Sequence, residues 1–214
     1  MNIKRYIATI ILAIVLLLNF SCTDWLDVKP VDRMSEDQLY STEAGFRQAL
    51  NGIYVELNHA DLYGDELLVN TVEILAQRYK FSSMGTLTNQ YHLAEFDYTT
   101  DYAKKCGSRI WEKAYALIAN VNKLLKNADS HKDLFTGDSY DLITGEAYAL
   151  RAFLHFDLLR LFGPVYKTHK EDKSICYNTQ FSLSGSDLLP ASKVMEYVIA
   201  DLKEAEDRLA KDPI

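Results

Sequence analysis

The sequence predicts an all-α protein, built of packed helical pairs joined by long irregular loops. Three observations carry that prediction. Apolar residues recur three and four apart in five separate segments, the period of an α-helix. No segment reads as a strand, with the period of two that a half-buried strand shows. The 214 residues are 48% hydrophobic and 25% charged, the balance of a packed globular chain and not of a disordered one.

In chain order, residues 1–21 read as a secretory signal. Lys4 and Arg5 supply the positive start, and residues 7–18 form an apolar run of about a dozen residues. A membrane-spanning helix needs roughly 20. Ser21 is small and Cys22 follows it, an order that resembles a bacterial lipobox, with Leu18 one place ahead of the usual Leu. The reading is a cleaved signal that leaves Cys22 lipidated at the new N-terminus. An ordinary cleaved signal with a chance Cys is the plainer alternative. Cleavage there removes two basic and no acidic residues, so the formal charge of −7 becomes more negative by two. Several acyl chains on one Cys anchor a protein stably, where a single chain binds marginally. Residues 22–34 then form a short acidic tether that contains Pro30.

Residues 35–214 read as one helical domain. Ser35 and Gln38 are spaced as a capping box. Phe46, Ala49, Leu50, Ile53, Tyr54 and Leu57 make one helical face over residues 42–57. Leu67, Leu68, Val72 and Leu75 predict a second helix over 65–79. Residues 81–102 have no clean period and predict a long loop, a kind of segment that often carries function. A third helix is expected over 108–128, on Ile110, Trp111, Ala114, Ile118, Val121 and Leu125. A fourth, over 141–162, is apolar around most of its circumference and is stopped by Gly163 and Pro164, which marks it as the central core helix. Residues 165–189 are irregular. The last helix starts near Pro190 and carries Val194, Met195, Val198, Leu202, Ala205 and Leu209 on its stripe. Cys106 and Cys176 are far apart in sequence; export permits a disulfide, and buried thiols are the simpler reading.

Two helices carry a repeat-like pattern. Trp111, Ala114, Tyr115 and Ile118 are spaced as in the first helix of a tetratricopeptide repeat, and Ala152, Phe156 and Pro164 as in its second. More specific is the segment GEAYALRAFLHFDLLRLFGPVY at 145–166. With Gly145-Glu146-Ala147, Leu150-Arg151-Ala152, Phe156-Asp157-Leu158 and Arg160-Leu161-Phe162-Gly163, it resembles the signature helix of the SusD/RagB family of Bacteroidetes surface lipoproteins. The segment CTDWLDVKP from Cys22 resembles that family's start after lipidation, and TEAGFRQALN from Thr42 its first helix. The resemblance spans essentially the whole chain but only the N-terminal part of the family's fold.

The resemblance implies tetratricopeptide-like helix pairs and a cell-surface position, lipid-anchored outside the outer membrane. It implies a partner, a SusC-like TonB-dependent transporter, to which captured oligosaccharides or, in some members, peptides are delivered. It also implies that the protein is not an enzyme and needs no cofactor. On its own terms the sequence has no HExxH, GxSxG, Walker A or GxGxxG motif, and no Cys/His cluster with metal spacing. A pI near 5.2 argues against a nucleic-acid partner.

Sugar recognition needs aromatic faces and directed hydrogen bonds. Residues 77–102 offer both, and Arg78, Tyr79, Asn89, Tyr91 and Tyr98 are the ligand-binding candidates, with Gln90, His92 and Phe96 beside them. The competing reading is that these aromatics pack the loop onto the scaffold. Glu146, Arg151, Asp157 and Arg160 are expected in structural ion pairs, and His155 as a satisfied core histidine. The leading function is glycan capture for a transporter. The alternative is a lipid-anchored helical scaffold that binds a protein or peptide, and a third class is a lipoprotein hydrolase. The stripe of the last helix calls for a covering helix after it, which predicts an incomplete C-terminal part.

Overall fold

The computed structural model describes residues 34–81, 88–181 and 185–210. The chain divides into two units, 1–35 and 36–214. The first unit lies almost wholly outside the described residues, and with it the expected signal, Cys22 and the tether.

The second unit is all-α. Its helices are α1 (Glu36–Leu39), α2 (Glu43–Leu57), α3 (Thr71–Leu75), α4 (Thr88–Ala94), α5 (Asp101–Ser130), α6 (Ser139–Phe162), α7 (Tyr166–His169) and α8 (Ala191–Leu209). The central helix α6 packs against α5, α8 and α2. Thr42 caps α2 by accepting from the Gly45 amide at 3.2 Å, and Thr100 caps α5 by accepting from Ala103 at 3.3 Å.

Two apolar layers result. Phe46, Leu50 and Ile53 of α2 meet Val121, Leu124 and Leu125 of α5 and Ile143, Ala147 and Leu150 of α6. On the other side, Ile110, Leu117 and Ile118 of α5 pack with Leu154 and Leu158 of α6 and Val194 and Val198 of α8. Each fully buried Leu, Ile or Val contributes about 1.5–3 kcal/mol. The α6–α8 contact is close because residue 145 is glycine. A methyl there would stand 2.9 Å from Leu209 Cγ and 3.0 Å from Arg208 Cβ.

A buried polar network ties the helices to the irregular segment after α7. Arg151 of α6 donates to both oxygens of Asp201 on α8, and to Asn122 Oδ1 of α5 at 2.9 Å. His155 is fully buried. Its Nδ1 donates to the Arg151 carbonyl at 2.9 Å, and its Nε2 accepts the Asn178 amide at 3.0 Å. The ring is therefore the neutral Nδ1–H tautomer. Burial, aided by the nearby Arg151 charge, holds its pKa at about 4. Tyr177 stacks on it at 3.9 Å and donates its hydroxyl to Asp201 at 2.6 Å. The carbonyls of Cys176, Asn178 and Thr179 accept from Tyr115, Asn122 and Arg151.

Several expectations need correction. The helix expected over 65–79 is a chain of tight turns followed by the five-residue α3. The reason is Glu66, which is buried and bonded to Thr71 and Arg109; the backbone bends to bring that carboxylate inward, so Leu68 is left exposed. The expected loop over 81–102 contains α4, with residues 82–87 outside the described set. Helix α5 begins at Asp101, seven residues before the expected start, because Thr100 supplies the cap. Short α7 lies within the expected irregular stretch 165–189. On α8 the inward position is Asp201, not Leu202, since Arg151 needs a partner there. Tyr54 and Phe153 are half exposed; the Tyr54 hydroxyl is tied to Glu146 at 2.7 Å. Cys106 is buried, Cys176 is partly covered, and both are free thiols.

Candidate functional site

Helices α3 and α4 lean together against the start of α5, around Ile74, Leu93, Ala94 and Ala103. Each of the two short helices ends in a residue with a left-handed backbone, Gln77 at φ 59° and Phe96 at φ 57°. At both ends the next amide bonds back five residues, Arg78 to Glu73 and Asp97 to His92. That is the Schellman arrangement, with a side chain where glycine is usual. Gln77 uses its side chain, which donates to the Ala94 carbonyl at 2.7 Å and so joins α3 to α4. Phe96 turns its ring outward, 52% exposed, beside the equally open Tyr98.

Between these helices, α5 and the end of α6 lies a cavity of about 560 Å³. Its floor is Ala103 and Gly107. Its walls are Leu75, Leu93, Leu161 and Phe162, with Trp111 at one end and Tyr98 at the mouth. Trp111 meets Phe162 edge to face at 5.1 Å. The polar lining lies mostly along one rim, where Lys104, Ser108 and Glu112 are four residues apart on α5. A rise of 1.5 Å per residue makes that rim about 12 Å long. Neither the Lys104 ammonium nor the Glu112 carboxylate has a hydrogen-bond or ion-pair partner among the described residues. The Thr99 hydroxyl and amide hold the Asp97 carboxyl below its usual range, and the charges of His92 and Lys104 add to that.

Of the five candidates, only Tyr98 lines this cavity. Arg78 is exposed and lies 3.8 Å from Glu73. Tyr79 donates its hydroxyl to the Val69 carbonyl at 2.8 Å and meets Phe81 edge to face. Asn89 is exposed on α4, and Tyr91 is partly covered, with its ring against His92. Sequence reasoning misses Trp111, Lys104, Ser108 and Glu112 as site residues. Their signal is two parallel rows of four-residue spacing, 103-107-111 and 104-108-112, visible only if the helix starts before Ser108.

The charged residues of α6 are engaged structurally. Asp157 accepts from the Tyr63 hydroxyl and from Arg160, each at 2.8 Å, while Arg151 is held by Asp201 and Glu146 by Tyr54. Among the described residues no three His, Cys, Asp or Glu side chains gather as metal ligands, and no helix is long and apolar enough to cross a membrane.

Residues 24–213 match the model of a SusD-like family described as starch-binding and associating with the outer membrane. SusD-like protein P2 of Formosa agariphila is 27% identical over 208 residues, which cover 96% of this chain and 38% of that protein. SusD-like protein P38 of the same organism is 24% identical, over 88% of this chain and 34% of its own length. A solved SusD-like carbohydrate binding protein from Bacteroides vulgatus superposes with a TM-score of 0.67 at 21% identity, over 81% of this chain and 37% of that one. A SusD superfamily protein from Bacteroides fragilis gives 0.64 at 18% identity, over 77% and 39%. The structures show a shared fold. The chain spans little more than a third of the length of these relatives.

Proposed function

The chain belongs to the SusD-like family, and on that premise we propose that it captures oligosaccharides at the cell surface and delivers them to a SusC-like TonB-dependent transporter. The protein is a binder and not an enzyme. In this reading residues 1–21 are the signal, Cys22 carries the lipid that holds the protein to the outer membrane, and residues 22–34 are the tether.

The observation that carries the reading is the cavity beside α5. It combines aromatic surface from Trp111 and Tyr98 with hydrogen-bonding groups on Lys104 and Glu112 that no described side chain engages, the two things a sugar ring requires. Arg78, Tyr79, Asn89 and Tyr91 are proposed as an outer contact surface, with Tyr98 at its junction with the cavity.

Calorimetric titration of the full chain against a panel of oligosaccharides tests the reading. Binding is expected, and Tyr98→Ala should weaken it about tenfold. A chain that binds no member of the panel overturns it. Cys22→Ala, or globomycin treatment, should make the unprocessed precursor accumulate in cells. Co-purification of a TonB-dependent transporter with the tagged protein tests the delivery step.

A further inference from the structure

The cavity is more apolar than a bare sugar needs. A saccharide ring carries hydroxyls around its whole edge, and each one buried without a partner costs about 1–3 kcal/mol. The inner wall here is Leu75, Leu93, Leu161 and Phe162, which offer no donor or acceptor side chain. The one polar side chain near them, Thr71, already donates its hydroxyl to the buried Glu66 carboxylate. Apart from the Trp111 indole N–H at the end wall and the Tyr98 hydroxyl at the mouth, the side-chain partners for hydroxyls among the described residues lie along the Lys104–Ser108–Glu112 rim. A ring bound at that rim would leave the interior empty, although 560 Å³ is the size of a small-molecule site.

We propose that the interior takes an aromatic substituent carried by a saccharide, such as an aryl ester or aryl glycoside, while the sugar it decorates lies along the Lys104–Ser108–Glu112 rim. The proposal rests on the saccharide-binding function and narrows its ligand class. An aromatic group fits better than an acyl chain because the end wall is aromatic. Trp111 and Phe162 stand edge to face, and a third ring entering past Tyr98 extends that cluster in its preferred geometry. The floor admits it because residue 107 is glycine: among the described residues, a methyl there would have only Phe162 Cε1 within 4 Å, at 3.6 Å. The same openness supplies the test, since a larger side chain at 107 grows into the cavity without displacing backbone.

The experiment measures the affinity of the full chain for gluco-, xylo- and galacto-configured disaccharides, each free and as its phenyl glycoside. Phenyl glycosides of the recognised sugar should bind at least tenfold more tightly than the free sugar. Gly107→Leu should abolish that preference, so that the free disaccharide and its phenyl glycoside bind alike, with the thermal transition nearly unchanged. Equal affinity for the free sugar and its phenyl glycoside overturns the proposal and leaves the saccharide reading standing. No binding of either form overturns both. A preference that persists in a folded Gly107→Leu variant places the aryl group elsewhere and overturns the proposal too. Tight binding of a Leu- and Phe-containing tripeptide with no saccharide binding would assign the cavity to peptides instead, which also overturns it.

Discussion

Arg151 and Asp201 meet through two parallel hydrogen bonds, Nε to Oδ2 and Nη2 to Oδ1, each 2.7 Å long, with side chains only 7% and 11% exposed. This fork joins the middle of α6 to α8. A buried pair of this kind is costly to break from one side, because the partner left behind is an unpaired charge away from water.

Asp201→Ala should therefore destabilise the protein by about 3–5 kcal/mol, measured by urea denaturation. The double variant Arg151→Met, Asp201→Leu should recover much of that loss, since it leaves no orphaned charge. A double variant as unstable as Asp201→Ala would mean that the ion pair is not the source of the cost.

His155 makes stability depend on pH. Its folded pKa of about 4 lies below the ordinary imidazole value of 6.5. Between those values the unfolded chain binds a proton that the folded chain refuses. The contribution is complete above about pH 6.5 and is lost as pH falls toward 4, by up to about 3 kcal/mol. Denaturation at pH 7.5, 5.5 and 4.5, compared with His155→Phe, isolates it. The variant will be less stable at neutral pH, and its stability should fall less steeply on acidification.

The two left-handed positions should respond in opposite directions. Phe96→Gly removes a backbone cost without giving up a buried ring, and should raise stability by about 0.5–1 kcal/mol. Gln77→Gly relieves the same cost but gives up the bond to the Ala94 carbonyl, so it should be neutral or destabilising. Thermal melting of the two variants, side by side, checks this.

Gly145 sets the approach of α6 to the last turn of α8. Gly145→Leu places its side chain against Leu209 and Arg208, and overpacking of this kind costs about 1–3 kcal/mol. Gly52, on α2, has nothing within 4 Å of a methyl group, so Gly52→Ala should instead stabilise by about 1 kcal/mol. Equal effects at the two sites would mean that the helices do not meet at Gly145 as described.

The long helices are legible in the sequence because their apolar rows are long enough to reveal a period. Residues 145–166 reveal both the core helix and the family. Two kinds of feature are hidden. The first is any element whose position is decided by a buried polar group. Glu66 undoes the helix that Leu67, Leu68, Val72 and Leu75 suggest, and Arg151 turns Asp201 inward in place of Leu202. Hydrophobic periodicity assigns charges to water, so it misses a charge whose partner lies 43 or 50 residues away. The second is the cavity, which needs α3, α4, α5 and α6 to converge. Composition locates its mouth, at Tyr98, but the residues behind it read as ordinary helix surface.

Among the described residues, the irregular segment after α7 shows no ladder of its own beyond a single bridge between Lys173 and Pro190, yet its amide and carbonyl groups are held by side chains from α5 and α6. Amide hydrogen exchange is normally fastest where regular structure is absent. Here Asn178, whose amide is bound to His155 in the interior, can exchange only when the α5–α6–α8 core itself opens. Its proton should persist as long as those of the central helix, so the protected core of this molecule extends into a stretch of chain that has no helical structure.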